Sequence, residues 1–296
     1  MTIYHQYAPF YDSSGQMRFV VLMGHYLGEL LERHPAPGRR ALDLACGTGT
    51  LALMLADQGW DVVGLDTSAA MLELAGAKAA ALDTPGRATF VQGDMRRLLT
   101  TDGHRPPTND QRHVSQKELS DTRPGLNSSF VLRPSSGEAA SSFALRPSSF
   151  DLATCTYDSL NYLLSEADLA ACFAGVARAL RPGGLFVADM NTRHFLEHDW
   201  GVCSVEEHPG FVQISQSSFD PVSGQSTMVL TGFAGDDQRG YTRFDEVHIE
   251  RAYPDEQVRD LLEQSGLAVE AAYDCFTFQP VYPQSQRIAW VARRPA

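Results

Sequence analysis

The stretch ALDLACGTGTLALML, residues 41 to 55, constrains the fold more than any other part of the chain. An apolar run reads as a strand, two glycines at 47 and 49 follow, and a second apolar run with helical spacing begins at once. Glycine turns the backbone sharply and lets it approach a ligand closely, and a helix start presents unpaired N–H groups. A strand that passes through a tight turn into a helix must cross over to a parallel neighbour, so further βα units are required.

They are present. DVVGLD (61–66) is a second strand, Thr67 or Ser68 caps a helix through SAAMLELAGAKAAAL, and ATFVQGD (88–94) is a third strand. FDLATCTY (150–157) is a fourth strand, followed by a helix from about Glu166 that stops at RPGG and by LFVADM as a fifth strand. The expected fold class is α/β, a doubly wound and mostly parallel sheet. Residues 17–33 predict a helix before the first strand, with Met17, Val20, Val21, Leu27, Leu30 and Leu31 on one stripe. From about Gly210 the pattern alternates in FVQISQSSFD, QSTMVLTGFAG and YTRFDEVHIERAY, which predicts an antiparallel meander inserted after strand 5. PDEQVRDLLEQSG restores a helix, and AVEAAYDCFTF and QRIAWVARR close the chain as strands.

Residues 100–149 differ in composition, being rich in Ser, Pro, Arg, Asp and Thr, and SSFVLRPSS recurs in them as SSFALRPSS. Too little apolar surface is available there to offset chain ordering, and two short copies do not make a solenoid. The expectation is a low-complexity surface insertion in a single domain formed by 1–99 and 150–296, with 205–253 as a substrate-side or dimerisation subdomain.

A net charge of −12 over 296 residues, with no cluster of Lys and Arg, makes a nucleic-acid partner unlikely and favours a small molecule. The polar, aromatic start MTIYHQYAPFYDSSG lacks a basic, then apolar leader, and no run approaches the ~20 apolar residues of a membrane span. A cytoplasmic protein is expected. Five scattered cysteines and nine scattered histidines show no ligand spacing, so no metal is expected.

The glycine loop fits the dinucleotide pattern G-x-G-x-x-G/A as well as other nucleotide loops. Asp43, four residues before Gly47, would repel a pyrophosphate but suits a ligand carrying an ammonium and a sulfonium. Asp66, ending the second strand, is placed for two ribose hydroxyls. Asp94 is placed for an adenine amino group, with the Met95 amide facing a ring nitrogen. Taken singly, Asp43 as a turn cap and Asp66 and Asp94 as solvated strand ends are equally admissible. Three acids at the ends of consecutive strands point to a cofactor cleft.

LDLACGTG, VVGLD, VQGDM, FDLATCTYDSLNYL and LRPGGLFVADM, in this order and at these distances, resemble the class I S-adenosylmethionine-dependent methyltransferases. The resemblance extends over nearly all of the chain except the insertion. YHQYAPFYD, DSLNYL and the late β-rich segment look like a bacterial branch that acts on small molecules, amino-sugar N-methyltransferases among them. It implies a seven-stranded sheet of order 3-2-1-4-5-7-6 with the last strand antiparallel. It also implies S-adenosylmethionine as cofactor, with S-adenosylhomocysteine as product. Tyr11 and Arg18 would contact the methionine end, with Ala45 and Cys155 among the cofactor contacts. The long segment after GDMRRL departs from the family and puts the adenine-side lid in doubt.

Methyl transfer from a sulfonium needs alignment, proximity and water exclusion. An amine acceptor must be neutral when it attacks, so a nearby carboxylate, tyrosine or histidine could take or orient its proton. Tyr157, Asp158 and Asn161 after the fourth strand are candidates, with a helix cap as the competing role of Asp158. Asp245, His248 and Glu250 in the meander are a second set, and His248 is the one taken forward. Tyr4, Tyr7 and Tyr11, at i, i+3 and i+7, form one helical face that either packs on the sheet or meets the cofactor. The expected function is methylation of a small polar metabolite, at nitrogen in preference to oxygen. Competing functions are a non-catalytic binder of the cofactor or its product, a methyltransferase for protein or RNA, and an NAD-dependent oxidoreductase, which Asp43 disfavours. Exposed meander edges suggest a homodimer.

Overall fold

In the computed structural model, residues 3–98, 145–200, 203–236 and 238–296 are described. The 100–149 insertion lies almost wholly outside them, and only its last five residues are described. The chain opens with a short helix α1 (Ala8–Tyr11) and a long one, α2 (Gln16–Arg33). Alternating units follow: β1 (Arg40–Leu44), α3 (Thr50–Asp57), β2 (Asp61–Asp66), α4 (Ala69–Ala81), β3 (Arg87–Gln92), β4 (Phe150–Cys155), α5 (Glu166–Ala179) and β5 (Leu180–Asn191). After α6 (Arg193–His198) come β6 (Ser204–His208), β7 (Phe211–Asp220), β8 (Gln225–Asp236) and β9 (Gly240–Arg251). The chain closes with α7 (Asp255–Gln264), β10 (Ala268–Asp274) and β11 (Arg287–Arg293).

The main sheet has the order β10-β11-β5-β4-β1-β2-β3. β1 to β5 are mutually parallel, and β11 runs antiparallel to β5 and β10. This is the expected 3-2-1-4-5-7-6 arrangement. Because side chains alternate across a strand, the two faces collect different residues. Ala41, Val62, Leu152, Val187 and Val291 join α2 and α3 in one apolar core. Phe186 and Trp290 point the other way: Phe173 of α5 packs on Phe186 with ring centroids 6.0 Å apart, and the Arg259 guanidinium of α7 lies over Trp290. Helices therefore cover both faces, as burial of a parallel sheet requires.

Two local expectations shift. The RPGG stretch does not lie outside the sheet: β5 begins at Leu180, paired with Phe150, and the pairing is irregular before it resumes at Leu152 and Leu185. In α2 the buried side is Met23, Tyr26, Leu27 and Leu30, whereas Met17 is 39% exposed, because the helix meets the sheet only from its second turn onward.

The second sheet is a four-stranded antiparallel meander, β6-β7-β8-β9. Strand β6 had no counterpart among the expected runs. Its inner face carries Phe211, Leu230 and Phe244, against which Tyr7 packs with Tyr4, Phe10 and Tyr11. The tyrosines do converge, with centroids 5.8 to 6.5 Å apart, but not along one helix. Only Ala8–Tyr11 is helical, and Tyr4 has a left-handed φ of 59°. Among the described residues no helix is long and apolar enough to cross a membrane.

Candidate active site

The carboxyl ends of β1, β2 and β4, the N-terminal aromatics and the inner face of the meander enclose a cavity of about 720 Å³. Its first half is built by the glycine loop. Ala45, Gly47 and Gly49 all have positive φ, at 53°, 53° and 75°. At Gly47 nothing lies within 4 Å of where a Cβ would sit, so the loop offers bare backbone to the cavity. At Gly49 a Cβ would come within 2.6 Å of Phe90. The Asp66 carboxylate holds this loop to the second strand, accepting from the Gly47 N–H at 2.8 Å and the Ser68 N–H at 2.8 Å. Burial raises the Asp66 pKa, and these backbone bonds work against the rise. A carboxylate has about four lone-pair sites, so both oxygens retain capacity for hydroxyl donors. A second clamp is charged: Lys78 Nζ bridges Asp12, Thr48 and Thr50 at 2.8 to 2.9 Å, tying the N-terminal segment to the loop.

Asp43 is 2% exposed. Its Oδ1 accepts from the Thr154 hydroxyl at 2.7 Å, while Oδ2 has no partner among the described residues. Burial pushes its pKa up to about 7, the Thr154 bond opposes this, and the charge of Asp66 adds to it. An orphaned buried carboxylate oxygen facing a cavity awaits a donor or a cation.

Five expected contacts do not line this cavity: Gly49, which faces Phe90 and Ala75 instead, Arg18, Asp94, Met95 and Cys155. Arg18 is exposed on the outer side of α2, while Gln16 and Phe19 of the same helix line the cavity, a matter of helical phase. Asp94 lies outside the lining. Partial burial acts against its charge, but the Arg96 guanidinium and backbone N–H hold its pKa below the ordinary value, with side-chain contacts of 2.6 to 3.0 Å. The side chains of Met95 and Cys155 meet, with Sδ and Sγ 3.9 Å apart, and Cys155 is wholly buried. Burial raises its thiol pKa well above the usual value, so no thiolate nucleophile forms there. Tyr11, Asp43, Ala45, Gly47 and Asp66 line the cavity.

The other half of the cavity is lined by Tyr157, Asp158, Tyr162, His248, Glu250 and Arg287. Tyr157 and Asp158 are consecutive left-handed residues, φ 61° and 53°. Such backbone persists only when over-determined, and Asp189 provides the restraint by accepting both their N–H groups at 2.7 and 3.1 Å. Asp158 starts a short 3-10 helix, Ser159–Tyr162, but its side chain does not cap it. The carboxylate instead meets Arg287 at 3.0 Å, and the same guanidinium nitrogen contacts Asp189 more closely still. Burial opposes the Arg287 charge, yet the two acids raise its pKa. The Tyr157 phenol donates to Gln16, and its ring stacks on Phe19 at 4.4 Å. Its pKa is raised by burial and then by Asp158, so it stays protonated and orients rather than accepts a proton.

His248 is 4% exposed, with Nδ1 3.1 Å from the Tyr162 hydroxyl, itself 3.0 Å from that of Tyr4. Its Nε2 has no hydrogen-bond partner among the described residues. Burial lowers its pKa against the pull of Glu246 and Asp158, which leaves a neutral imidazole at neutral pH. Asp245, by contrast, faces outward and pairs with Arg243 and Thr231.

Three participants had no local signature. Arg287 and Asn191 come from strands far along the chain and meet Asp158 and Glu250 only in the folded sheet. Glu246 accepts from four successive main-chain N–H groups, Tyr4 to Tyr7, at 2.8 to 3.1 Å. The N-terminal segment is thereby strapped over the cavity, and the Tyr4 carbonyl also receives the Ser68 hydroxyl at 3.0 Å.

Residues 41–105 match the family described as Methyltransferase domain. The candidate methyltransferase YqeM of Bacillus subtilis is 26% identical over 258 residues, 86% of this chain and 84% of its own length. Among solved structures, an S-adenosylmethionine-dependent methyltransferase from Clostridium acetobutylicum covers 100% of both chains, with a TM-score of 0.71 and 23% identity. The sugar N-methyltransferase KedS8 from Streptoalloteichus covers 95% of this chain and 90% of its own, with a TM-score of 0.65 and 23% identity. The fold is that of the class I S-adenosylmethionine-dependent methyltransferases. S-adenosylmethionine is the cofactor that belongs to it, and the residues present fit: an orphaned buried carboxylate at Asp43 for a cationic ligand, a bare loop at Gly47, and Asp66 with acceptor capacity to spare.

Proposed function

We propose that this protein transfers the methyl group of S-adenosylmethionine to a nitrogen of a small polar amine. The observation that carries the reading is the charge balance of the acceptor half of the cavity. Asp158, Glu206 and Glu250 line it, together with Tyr4, Tyr157 and Tyr162, while its arginine, Arg287, is already bound by Asp158 and Asp189. The buried carboxyls of Asp158 and Glu250, with aromatic walls and the half-exposed Glu206 beside them, favour an organic cation and disfavour phosphates and other anions. The similarity in fold to a sugar N-methyltransferase supports the same class of acceptor.

In this reading Asp43, Ala45, Gly47 and Asp66 hold the cofactor, which supplies an electrophilic methyl on a cationic sulfur. Tyr11 closes over it from the N-terminal side. Tyr157 and Asp158 position the acceptor, and neutral His248, held by Tyr162, orients it by hydrogen bonding. The meander, residues 205–253, furnishes the acceptor's wall. Its outer face exposes Val229 and Val247, which are directly paired, and Val205; a second copy of the chain covering that face would give a dimer mass in light scattering, and a monomer mass across a concentration series would exclude it.

The test is incubation with methyl-labelled S-adenosylmethionine and matched pairs of small hydroxylated amines and their amine-free counterparts, read by mass spectrometry. Label on nitrogen in the amine member of a pair is expected. Label appearing only on oxygen, or on the protein itself, would overturn the nitrogen assignment.

A further inference from the structure

Glu250 is 0% exposed, and its Oε1 has no hydrogen-bond donor among the described residues. Its Oε2 accepts from Asn191 Nδ2 at 2.8 Å. Asn191 is itself locked, its N–H donating to Asn161 Oδ1 at 2.9 Å while Asn161 Nδ2 returns a bond to the Asn191 carbonyl. This amide scaffold fixes the Glu250 carboxyl in the cavity, into which the left-handed turn at Tyr157 and Asp158 also brings the Asp158 carboxyl, held by Arg287. Both side chains line the cavity.

Charge arithmetic makes this arrangement informative. Three carboxyl groups, Asp158, Asp189 and Glu250, surround one guanidinium, that of Arg287. Arg287 touches Asp158 and Asp189. With all three acids ionised, the buried group would carry two uncompensated negative charges, a costly arrangement. Burial, and then the charge of Asp158, raise the Glu250 pKa well above its ordinary value, so that Glu250 is the acid that holds a proton. His248 and the cavity tyrosines, Tyr162 among them, are a neutral imidazole and protonated phenols and supply no compensating charge.

We propose that Glu250 and Asp158 form a one-proton carboxyl pair that binds the acceptor's amine and takes its proton before methyl transfer. The proposal deepens the N-methylation reading and rests on it. An ammonium entering the cavity replaces the shared proton, which is released to solvent, as counter-charge to the two carboxylates. One N–H bond of the ammonium then breaks and an O–H bond forms on Glu250, leaving the electron pair on nitrogen. Composition is conserved: ammonium plus ionised pair becomes neutral amine plus singly protonated pair, the state the free protein already favours. The nitrogen lone pair forms its bond to the methyl as the carbon–sulfur bond breaks. A hydroxyl in the same place brings no cation and gains nothing from the exchange, so the pair also selects amine over alcohol.

The experiment uses the full chain with δ-13C-labelled glutamate, titrated by NMR with and without saturating S-adenosylhomocysteine. It is followed by binding of 2-amino-2-deoxyglucose and glucose as amine and hydroxyl probes. Expected is one glutamate carboxyl titrating well above the ordinary carboxylate range, absent in Glu250→Gln, titrating lower in Asp158→Asn, and shifted by the amine probe. The wild type should prefer the amine probe by at least about tenfold, and both variants should lose that preference while S-adenosylhomocysteine affinity is kept. The proposal is overturned if Glu250 titrates in the ordinary carboxylate range, if Glu250→Gln retains the amine preference, or if the wild type shows none. The carboxyl titration is read without cofactor or acceptor, so its failure is distinguishable from failure of the methylation reading, which shows as label reaching only oxygen.

Discussion

Acidification should weaken cofactor binding through Asp43. Its carboxyl has a pKa pushed up to about 7, mainly by burial, and one oxygen faces the cofactor half of the cavity unpaired. The ligand's ammonium pairs with the ionised form, so the fraction ionised multiplies the affinity. With that pKa, affinity for S-adenosylhomocysteine falls about twofold at pH 7 and about tenfold at pH 6, relative to a plateau above pH 8. Isothermal titration from pH 6 to 8.5 on the wild type and Asp43→Asn measures this directly. The ligand's own amine and Asp66 titrate in both proteins, so the difference between them isolates Asp43. The variant should bind more weakly at pH 8 and show a flatter profile. Equal slopes in the two proteins, or wild-type binding that tightens on acidification, would refute the assignment. The same shift acts on the free protein with the opposite sign. A carboxyl raised above its ordinary 3.8 contributes stability below that pH and loses it as pH rises through 7. The thermal shift produced by the ligand should therefore grow with pH.

Gly49→Ala forces a Cβ to within 2.6 Å of Phe90 at a φ of 75°, and urea denaturation should show a loss of about 1–3 kcal/mol. Arg287→Met leaves the Asp158 and Asp189 carboxyls buried without their cation, and should cost about 3–5 kcal/mol at pH 8 by the same assay, with part of the loss recovered at low pH as these groups protonate. Glu246→Gln exchanges a carboxylate for an amide at the centre of four main-chain bonds. Hydrogen exchange at Tyr4 to Tyr7 should accelerate about tenfold or more, and an unchanged rate would show that the strap is held elsewhere.

What the sequence revealed about this molecule follows the range of the interactions involved. The glycine loop, Asp43 and Asp66 lie within one βαβ unit, where period and turn chemistry act over a few residues, and the sheet order followed from the same local units with the resemblance. Arg18 lies off the cavity lining because of the rotational phase of α2 against the sheet, which the tertiary contact of Met23, Tyr26 and Leu27 sets. Asp94 lies off it with its carboxylate held by Arg96, two residues on, a pairing that composition does not reveal. In the meander, alternation was plain but its sense was not: His248 and Glu250 face inward and Asp245 outward, a parity fixed by packing against Tyr7 and Phe10. Arg287 and Asn191 acquire their roles only through the pairing of β11 with β5, two strands almost a hundred residues apart in sequence.

The strap at the N-terminus separates anchoring from recognition. Glu246 grips only main-chain N–H groups, so the identities of the side chains at positions 4 to 7 are irrelevant to the grip. Tyr4 and Tyr7 point into the cavity from that segment, and substitutions there can reshape the acceptor pocket while the anchor stays intact. Proline is the exception, since it has no N–H to offer. The segment is thus a place where descendants of this protein can change substrate through single codons, at little risk to closure of the site.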